Sequence, residues 1–161
     1  MCITKAEAEA RAASEIARLR ALPYADRVAL TQSNLRLIRE EFRSLPLEAN
    51  RERATETRFF ILLLIEDAVK ADRQFSRNER RFLTDVFHGM RMFDFMTLME
   101  SHLSDNDYSE SAKSYCTEVA SAFTEAGRAA VLECVICFLI ADRELADAEI
   151  AHIVEYAMIL K

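Results

Sequence analysis

Four acidic residues at matched positions are the strongest candidates for chemistry in this chain. Glu79 follows Asp72 by seven residues, and Glu149 follows Asp142 by the same interval. Asp142 lies 70 residues after Asp72, and each Asp stands in an Ala-Asp-Arg triplet after an apolar run. Carboxylate oxygens are the ligands that hard cations such as calcium and magnesium prefer. The pattern therefore predicts a divalent-cation site made of these four residues, in a helical unit that occurs twice.

The same glutamates also have a structural interpretation. Ser76 and Glu79 match a capping box, in which each side chain accepts a free backbone amide of the other residue at the start of a helix. In the second copy Ala146 replaces the serine and has no side-chain oxygen, yet Glu149 is kept. We therefore expect that capping alone does not account for the repeated glutamate.

Other metal-binding patterns are weaker. An EF-hand is excluded, because that loop needs acids at its third and fifth positions, and the turn that begins at Asp72 has Gln and Ser there. Glu149-Ile150-Ala151-His152 matches the Glu-x-x-His motif of di-metal carboxylate bundles, and Asp85-Val86-Phe87-His88 is a partial match. Such a bundle needs the motif twice, but Phe82 corresponds to His152 in the first copy. A di-metal enzyme is therefore a distant alternative.

The cysteines favour core packing over chemistry. Cys134 and Cys137 share one helix face and, with Cys116 and a histidine, could hold zinc. Structural zinc sites usually take their cysteines from turns, whereas these two lie inside an apolar run, where a free cysteine packs as a small hydrophobe. The chain has no glycine-rich phosphate loop, nucleophile elbow or metalloprotease motif, so we expect that it is not an enzyme.

The elements that position these residues are predicted to be helices. The chain has two glycines and two prolines among 161 residues, too few turns for a strand-rich fold. We predict an all-α fold, a duplicated helical bundle of about seven helices. Residues 1–57 form an N-terminal helical hairpin that is part of the domain or packs on it. Residues 58–161 form the main domain with two pseudo-repeats, each a buried helix, an acidic turn and an amphipathic helix.

Apolar patterning gives the details of this bundle. Residues 59–71 are apolar on all sides for several turns and are predicted to be a central helix. Residues 128–141 are predicted to be the second central helix. Gly89 and Gly127 are predicted to interrupt helices. A Met/Phe stripe over residues 92–103 predicts another helix and is interpreted as core filling, with a binding groove as the alternative.

Charge and composition limit the partners and the location. The net charge is −6, and the acidic excess lies after residue 58. Nucleic-acid binding depends on basic patches, so we expect no nucleic-acid partner. Cysteines inside an apolar helix suit a reducing compartment, and no apolar run approaches the roughly 20 residues of a membrane span. We expect a cytoplasmic protein without a membrane span, and the oligomeric state stays open.

The two acidic turns resemble those of the TerB-like family, named for a bacterial tellurite-resistance protein. The turns of that family read roughly Ala-Asp-Gly-x-apolar-x-x-x-Glu, and residues 71–79 and 141–149 follow this pattern. Met92-Phe93-Asp94 is also similar, and the resemblance covers about 58–161. It implies an all-helical, non-enzymatic stress-response domain with suspected divalent-cation binding at Asp72, Glu79, Asp142 and Glu149.

The chain departs from the family pattern beside each acidic residue. Arg73 and Arg143 stand where the family usually has Gly, and Asn78 and Ala148 replace an acid that often precedes the Glu. An Arg beside each Asp could neutralise it and form a salt bridge. The alternative to a cation-binding domain is therefore a metal-free protein–protein interaction module, in which the hairpin or a groove beside the Met/Phe stripe binds an unknown protein.

Overall fold

The computed structural model describes residues 3–46, 53–70, 76–88, 109–141 and 144–161. These ranges contain seven α-helices and no β-strand. In chain order they are α1 Lys5–Ala21, α2 Tyr24–Ser44, α3 Arg53–Lys70, α4 Arg77–Val86, α5 Ser109–Ala120, α6 Glu125–Leu139 and α7 Asp147–Ile159. The predicted all-α bundle is confirmed, whereas its duplication stays a prediction. None of these helices is both long enough and apolar enough to cross a membrane.

Side-chain caps fix the starts of α4 and α6. At α4, Ser76 and Glu79 form the capping box that the sequence predicts. At α6, the Gly127 N–H donates to Thr124 Oγ1 at 3.1 Å. Each cap gives a partner to a backbone amide that has none within the helix, and a capping side chain contributes about 1 kcal/mol to helix stability.

Helix α6 is the centre of the core, with α3 beside it. All residues from Cys134 to Ile140 are buried, as are those from Leu63 to Val69 in α3. α6 contacts α1, α2, α3, α4 and α7. Both central-helix predictions are confirmed, except that Phe59, at the start of the first apolar run, is 49% exposed.

Helices α1 and α2 contribute to the same core as the helices that follow them. α2 packs on α6 and α3, and α1 packs on α6 and α7. The ring of Phe42 in α2 lies 5.3 Å from that of Phe60 and 5.4 Å from that of Phe123, measured between centroids. Glu133 of α6 accepts hydrogen bonds from Arg18 and Asn34, both at 2.6 Å. The first two helices therefore cover a face of α6 that would otherwise be exposed, although the division of the chain at residue 57 stays a prediction.

Gly127 does not interrupt a helix, and the prediction that it does is wrong. It is buried in the first turn of α6, which begins at Glu125 and not at Arg128. A Cβ atom at position 127 would lie 2.5 Å from Cδ of Glu41. The Glu41 carboxylate uses this space to accept hydrogen bonds from the Thr124 N–H, at 3.0 Å, and from the Thr124 hydroxyl. The glycine is thus explained by a contact from α2.

Several predictions fall outside the described residues. They are the helix over 92–103 with its Met/Phe stripe and the break at Gly89. The same holds for Asp72 and Asp142 of the predicted cation site.

Candidate functional site

Glu79 and Glu149, the two glutamates of the predicted cation site, have equivalent positions in their helices. Each is the third residue of its helix, and each is only 2% exposed. Glu79 Oε2 accepts the Ser76 N–H at 2.6 Å, and Glu149 Oε2 accepts the Ala146 N–H at 2.7 Å. Both carboxylates therefore hold the end of the preceding loop against the first turn of the helix.

Glu149 makes this contact without a capping side chain at residue 146. Glu149 caps its helix all the same, because the hydrogen bond uses a backbone N–H, which every residue except proline has. Ser76 adds the reciprocal bond, since the Glu79 N–H donates to its Oγ at 3.1 Å. At the second site the Glu149 N–H donates to the Ala146 carbonyl oxygen at 3.0 Å instead. Both glutamates therefore cap their helices, and the expectation that capping alone does not account for them stays a prediction.

The electrostatics at these two positions favour the carboxylates and oppose a cation. A helix start carries a partial positive charge and stabilises a nearby anion by about 0.3–1 kcal/mol. Calcium needs six to eight oxygen ligands, and each glutamate already has one oxygen engaged with backbone. Nowhere in the described part of the chain do three or more His, Cys, Asp or Glu side chains group to hold a metal. The two glutamates therefore do not form a cation site by themselves, and the four-residue site stays a prediction.

A buried polar cluster that the sequence reasoning missed joins α3 to α7. Asp67 of α3 has a fully buried side chain, and its Oδ2 accepts the Tyr156 hydroxyl at 2.6 Å. Its Oδ1 has no hydrogen-bond partner among the described residues. An acidic residue at position 67 inside an apolar run was the only sign of this cluster in the sequence. Its partner Tyr156 lies 89 residues away. Burial and the Asp67 carboxylate raise the pKa of Tyr156, so this phenol stays protonated and donates to Asp67.

His152 belongs to this buried cluster, because it faces Asp67. Its Nε2 lies 3.1 Å from Asp67 Oδ2, but the two atoms are not aligned as a hydrogen bond. In the partial motif, Asp85 accepts the Tyr24 hydroxyl at 2.5 Å, and His88 is exposed. These contacts do not support the di-metal alternative.

The three described cysteines are buried thiols, as core packing predicts. Burial raises the pKa of Cys116 to about 12, that of Cys137 to about 11, and that of Cys134 well above 9.0. Metal ligation and nucleophilic attack require the thiolate, so these thiols are unreactive at neutral pH.

A groove between α1 and α7 offers apolar atoms to a partner. Its volume is about 670 Å³. Three large apolar side chains of the described residues are exposed, Phe59 at 49% and Ile150 and Met158 at 40% each. Two of these three, Ile150 and Met158, line the groove from α7. Ala13 and Ala17 line it from α1.

The two walls of the groove also differ in charge. On α1 the rim carries Lys5, Glu9 and Arg20, so this wall is net positive, and Lys5 Nζ lies 3.8 Å from Glu9 Oε1. On α7 the rim carries Asp147 and Glu155, the latter paired with Lys113 of α5. The α7 wall is therefore acidic, bulky and apolar, whereas the α1 wall has small side chains and a basic excess.

A comparison with protein-family models identifies the relatives of this chain. The model described as tellurite resistance protein TerB matches residues 58–161, well over half of the 161 residues. This region contains α4 and α7 with their capping glutamates, Glu79 and Glu149. Searches of curated proteins and of solved structures gave no match. The match agrees with the resemblance at the two acidic turns, and the chain belongs to the TerB family.

Proposed function

We propose that this chain is a non-enzymatic stress-response domain that acts through a protein contact at the α1–α7 groove. The observation that carries the proposal is the exposure of Ile150 and Met158, two turns apart on α7, in one concave surface. Large apolar side chains exposed in a groove with a polar rim are typical of a protein interaction site. Absence of enzymatic activity and a cytoplasmic location remain predictions from the sequence.

The chemistry of the groove suits a helical segment of a partner. Ala13 and Ala17 allow a helix backbone to come close to α1, because they have no side chain beyond Cβ. Met158 can adapt to different partner shapes, because its side chain is unbranched and has three rotatable bonds. Amphipathic helices dock in such apolar grooves through side chains at helical spacing. This supports the interaction module that the sequence left open, at a groove made by the hairpin helix α1 and α7.

Site-specific photo-crosslinking in cells tests this proposal. A photoreactive amino acid is placed at position 158, inside the groove, and in a matched control at position 59, which is also exposed but does not line the groove. We expect covalent adducts from position 158 and none of the same mass from position 59. If both positions give the same adducts, or neither gives any, the groove is not a contact site.

A second candidate function is weak divalent-cation binding at the two acidic turns. One observation favours it: Glu79 and Glu149 make the same hydrogen bond, to Ser76 and Ala146, and each of these residues follows an Ala-Asp-Arg triplet closely in the sequence. In this proposal Asp72 and Asp142 contact the cation, and the glutamates hold the loops in shape. Because few charged ligands are available and the helix starts oppose a cation, we expect a dissociation constant of about 10⁻⁴ M, at the weak end of protein calcium sites.

Calorimetric titration of chelator-treated protein with calcium, magnesium, manganese and zinc tests the second candidate. A thermal melt accompanies it, since a ligand that binds only the native state raises stability. We expect binding that the pair Asp72→Asn and Asp142→Asn abolishes. Binding that survives this double substitution would refute the site, and the absence of heat and of a melting shift with every ion would refute the function.

A further inference from the structure

We infer that the partner that covers the α1–α7 groove is a second copy of this chain. The inference rests on the protein contact proposed above and names its partner. The resulting dimer has a two-fold axis parallel to the groove, so that α7 of each copy lies over α1 of the other. Such an interface is isologous, because the same surface of each copy is used.

The shapes of the two walls are complementary under this symmetry. Ile150 and Met158 project from α7 at 40% exposure each. Ala13 and Ala17, the exposed small residues that line the groove, lie on α1. The two-fold rotation places the large side chains of each copy against the small side chains of the other, twice in one interface. A fit of large side chains onto small ones is what close packing at the core of an interface requires.

The charges of the two walls are complementary under the same symmetry. The α1 wall carries Lys5 and Arg20 with a single acid, Glu9, whereas the α7 wall carries Asp147 and Glu155, of which Glu155 is already paired with Lys113 of α5. In the dimer the basic wall of each copy faces the α7 wall of the other, where Asp147 supplies the negative charge. Complementary charge at a rim sets orientation and partner choice more than affinity. A docked helix of another protein would have to match both walls separately, whereas a second copy supplies both matches by symmetry.

Sedimentation equilibrium measures the self-association that this inference requires. We expect the wild-type chain to form dimers as its concentration rises. Met158→Asp, which places a charge in the apolar contact, should weaken the dimer by about tenfold or more, as expected for a central interface residue. Phe59→Asp is the matched control, because Phe59 is exposed but does not line the groove, and it should leave the dimer unchanged. Circular dichroism checks that both variants fold.

Reversal of the wall charges gives a test that misfolding cannot imitate. One variant carries Lys5→Glu and Arg20→Glu, so that both walls are acidic, and another carries Asp147→Lys and Glu155→Lys, so that the acids of the α7 wall become basic. Each variant alone should be monomeric, since like charges face each other across the two-fold axis. An equimolar mixture should form heterodimers, because each wall then faces its opposite.

The outcomes separate this inference from the proposed function. Wild-type protein that stays monomeric at all concentrations overturns the second copy as partner. So does a dimer that is insensitive to Met158→Asp, or a mixture of the reversed variants that forms no heterodimer. The crosslinking from position 158 then decides the remaining question. Adducts at twice the 18.4 kDa chain mass support the dimer, whereas adducts of another mass keep the groove as a contact site and refute only the second copy.

Discussion

We predict that Gly127→Ala destabilises this protein, although the same change inside a helix normally stabilises it by about 1 kcal/mol. The new Cβ would lie 2.5 Å from Glu41 Cδ and 2.6 Å from its Oε1. The carboxylate would have to move and would lose its hydrogen bonds to the backbone N–H and hydroxyl of Thr124. Hydrogen bonds to a charged group contribute about 1.5–3 kcal/mol each. With part of this recovered by rearrangement, the expected net loss in the free energy of unfolding is about 1–3 kcal/mol.

A double-mutant cycle with Glu41→Ala isolates the cause of this loss. Urea unfolding followed by circular dichroism gives the free energy of unfolding of the four proteins. In the Glu41→Ala background the space beside residue 127 is empty, so Gly127→Ala should now stabilise by about 1 kcal/mol. The change of sign between the two backgrounds is the signature of the contact. If Gly127→Ala stabilises both backgrounds equally, the contact between α2 and the first turn of α6 contributes nothing, and this explanation of the glycine is refuted.

Three further predictions concern two kinds of side chain, those that are buried and one that caps a helix. Tyr156→Phe removes the hydrogen bond to the buried Asp67 carboxylate and should lower the free energy of unfolding by about 1–3 kcal/mol in urea titrations; an unchanged value would mean that Asp67 finds another partner. Glu149→Gln keeps an oxygen for the cap and should change the thermal melt little, whereas Glu149→Ala should cost about 1 kcal/mol; equal losses would show that the charge is what matters. Cys116 and Cys137 have folded pKa values raised from 9.0 to about 12 and about 11. The thiols of the unfolded chain lose their protons at a lower pH than those of the folded chain, so the free energy of unfolding should fall as the pH rises from 9.0 toward 11. Replacement of both cysteines by Ala should make this fall less steep.

The helices were predictable because their signals are local. Long apolar runs with few glycines and prolines gave both central helices, and the Ser76–Glu79 spacing gave the start of α4. The cap at Glu149 was not predicted, since the sequence comparison considered the capping side chain at residue 146 and not the backbone N–H that the glutamate binds. The capping-box rule predicted the bonds at Ser76 correctly, but it does not cover the bond to a backbone N–H at Ala146.

The contacts that specify how the helices pack were not predictable from local patterns. Position 127 is a glycine because the Glu41 side chain occupies the space that a Cβ atom would need there. Glu41 lies 83 residues before Thr124, to which it is hydrogen-bonded. A glycine considered by itself indicates a helix break, so the sequence predicted an interruption at residue 127 where the structure has a close contact. The partner of Asp67 is equally distant in sequence. The groove could not be predicted either. Ile150 belongs to an ordinary apolar stripe, and it stays exposed because α1 covers only part of that stripe.

Helix α7 links the second acidic turn to the groove, which makes the two proposals testable together. α7 begins at Asp147, five residues after Asp142 in the sequence, and it carries the groove wall with Ile150 and Met158. A cation that holds this turn would change the position of the wall and hence the affinity of the dimer. By linkage, dimer formation would change the cation affinity by the same factor, and couplings of about fivefold or more are typical.

Sedimentation equilibrium in calcium and in chelator, at one ionic strength, measures this coupling. We expect the dimer dissociation constant to differ by about fivefold between the two conditions. Asp142→Asn should abolish the difference, because it acts on the turn that leads into α7. Asp72→Asn should abolish it as well, because Asp72 also contacts the cation in the proposed site. Phe59→Asp is the matched control and should leave the difference in place, since Phe59 does not line the groove and is no part of the proposed cation site. An unchanged dissociation constant in calcium and in chelator would mean that the turn and the groove work independently.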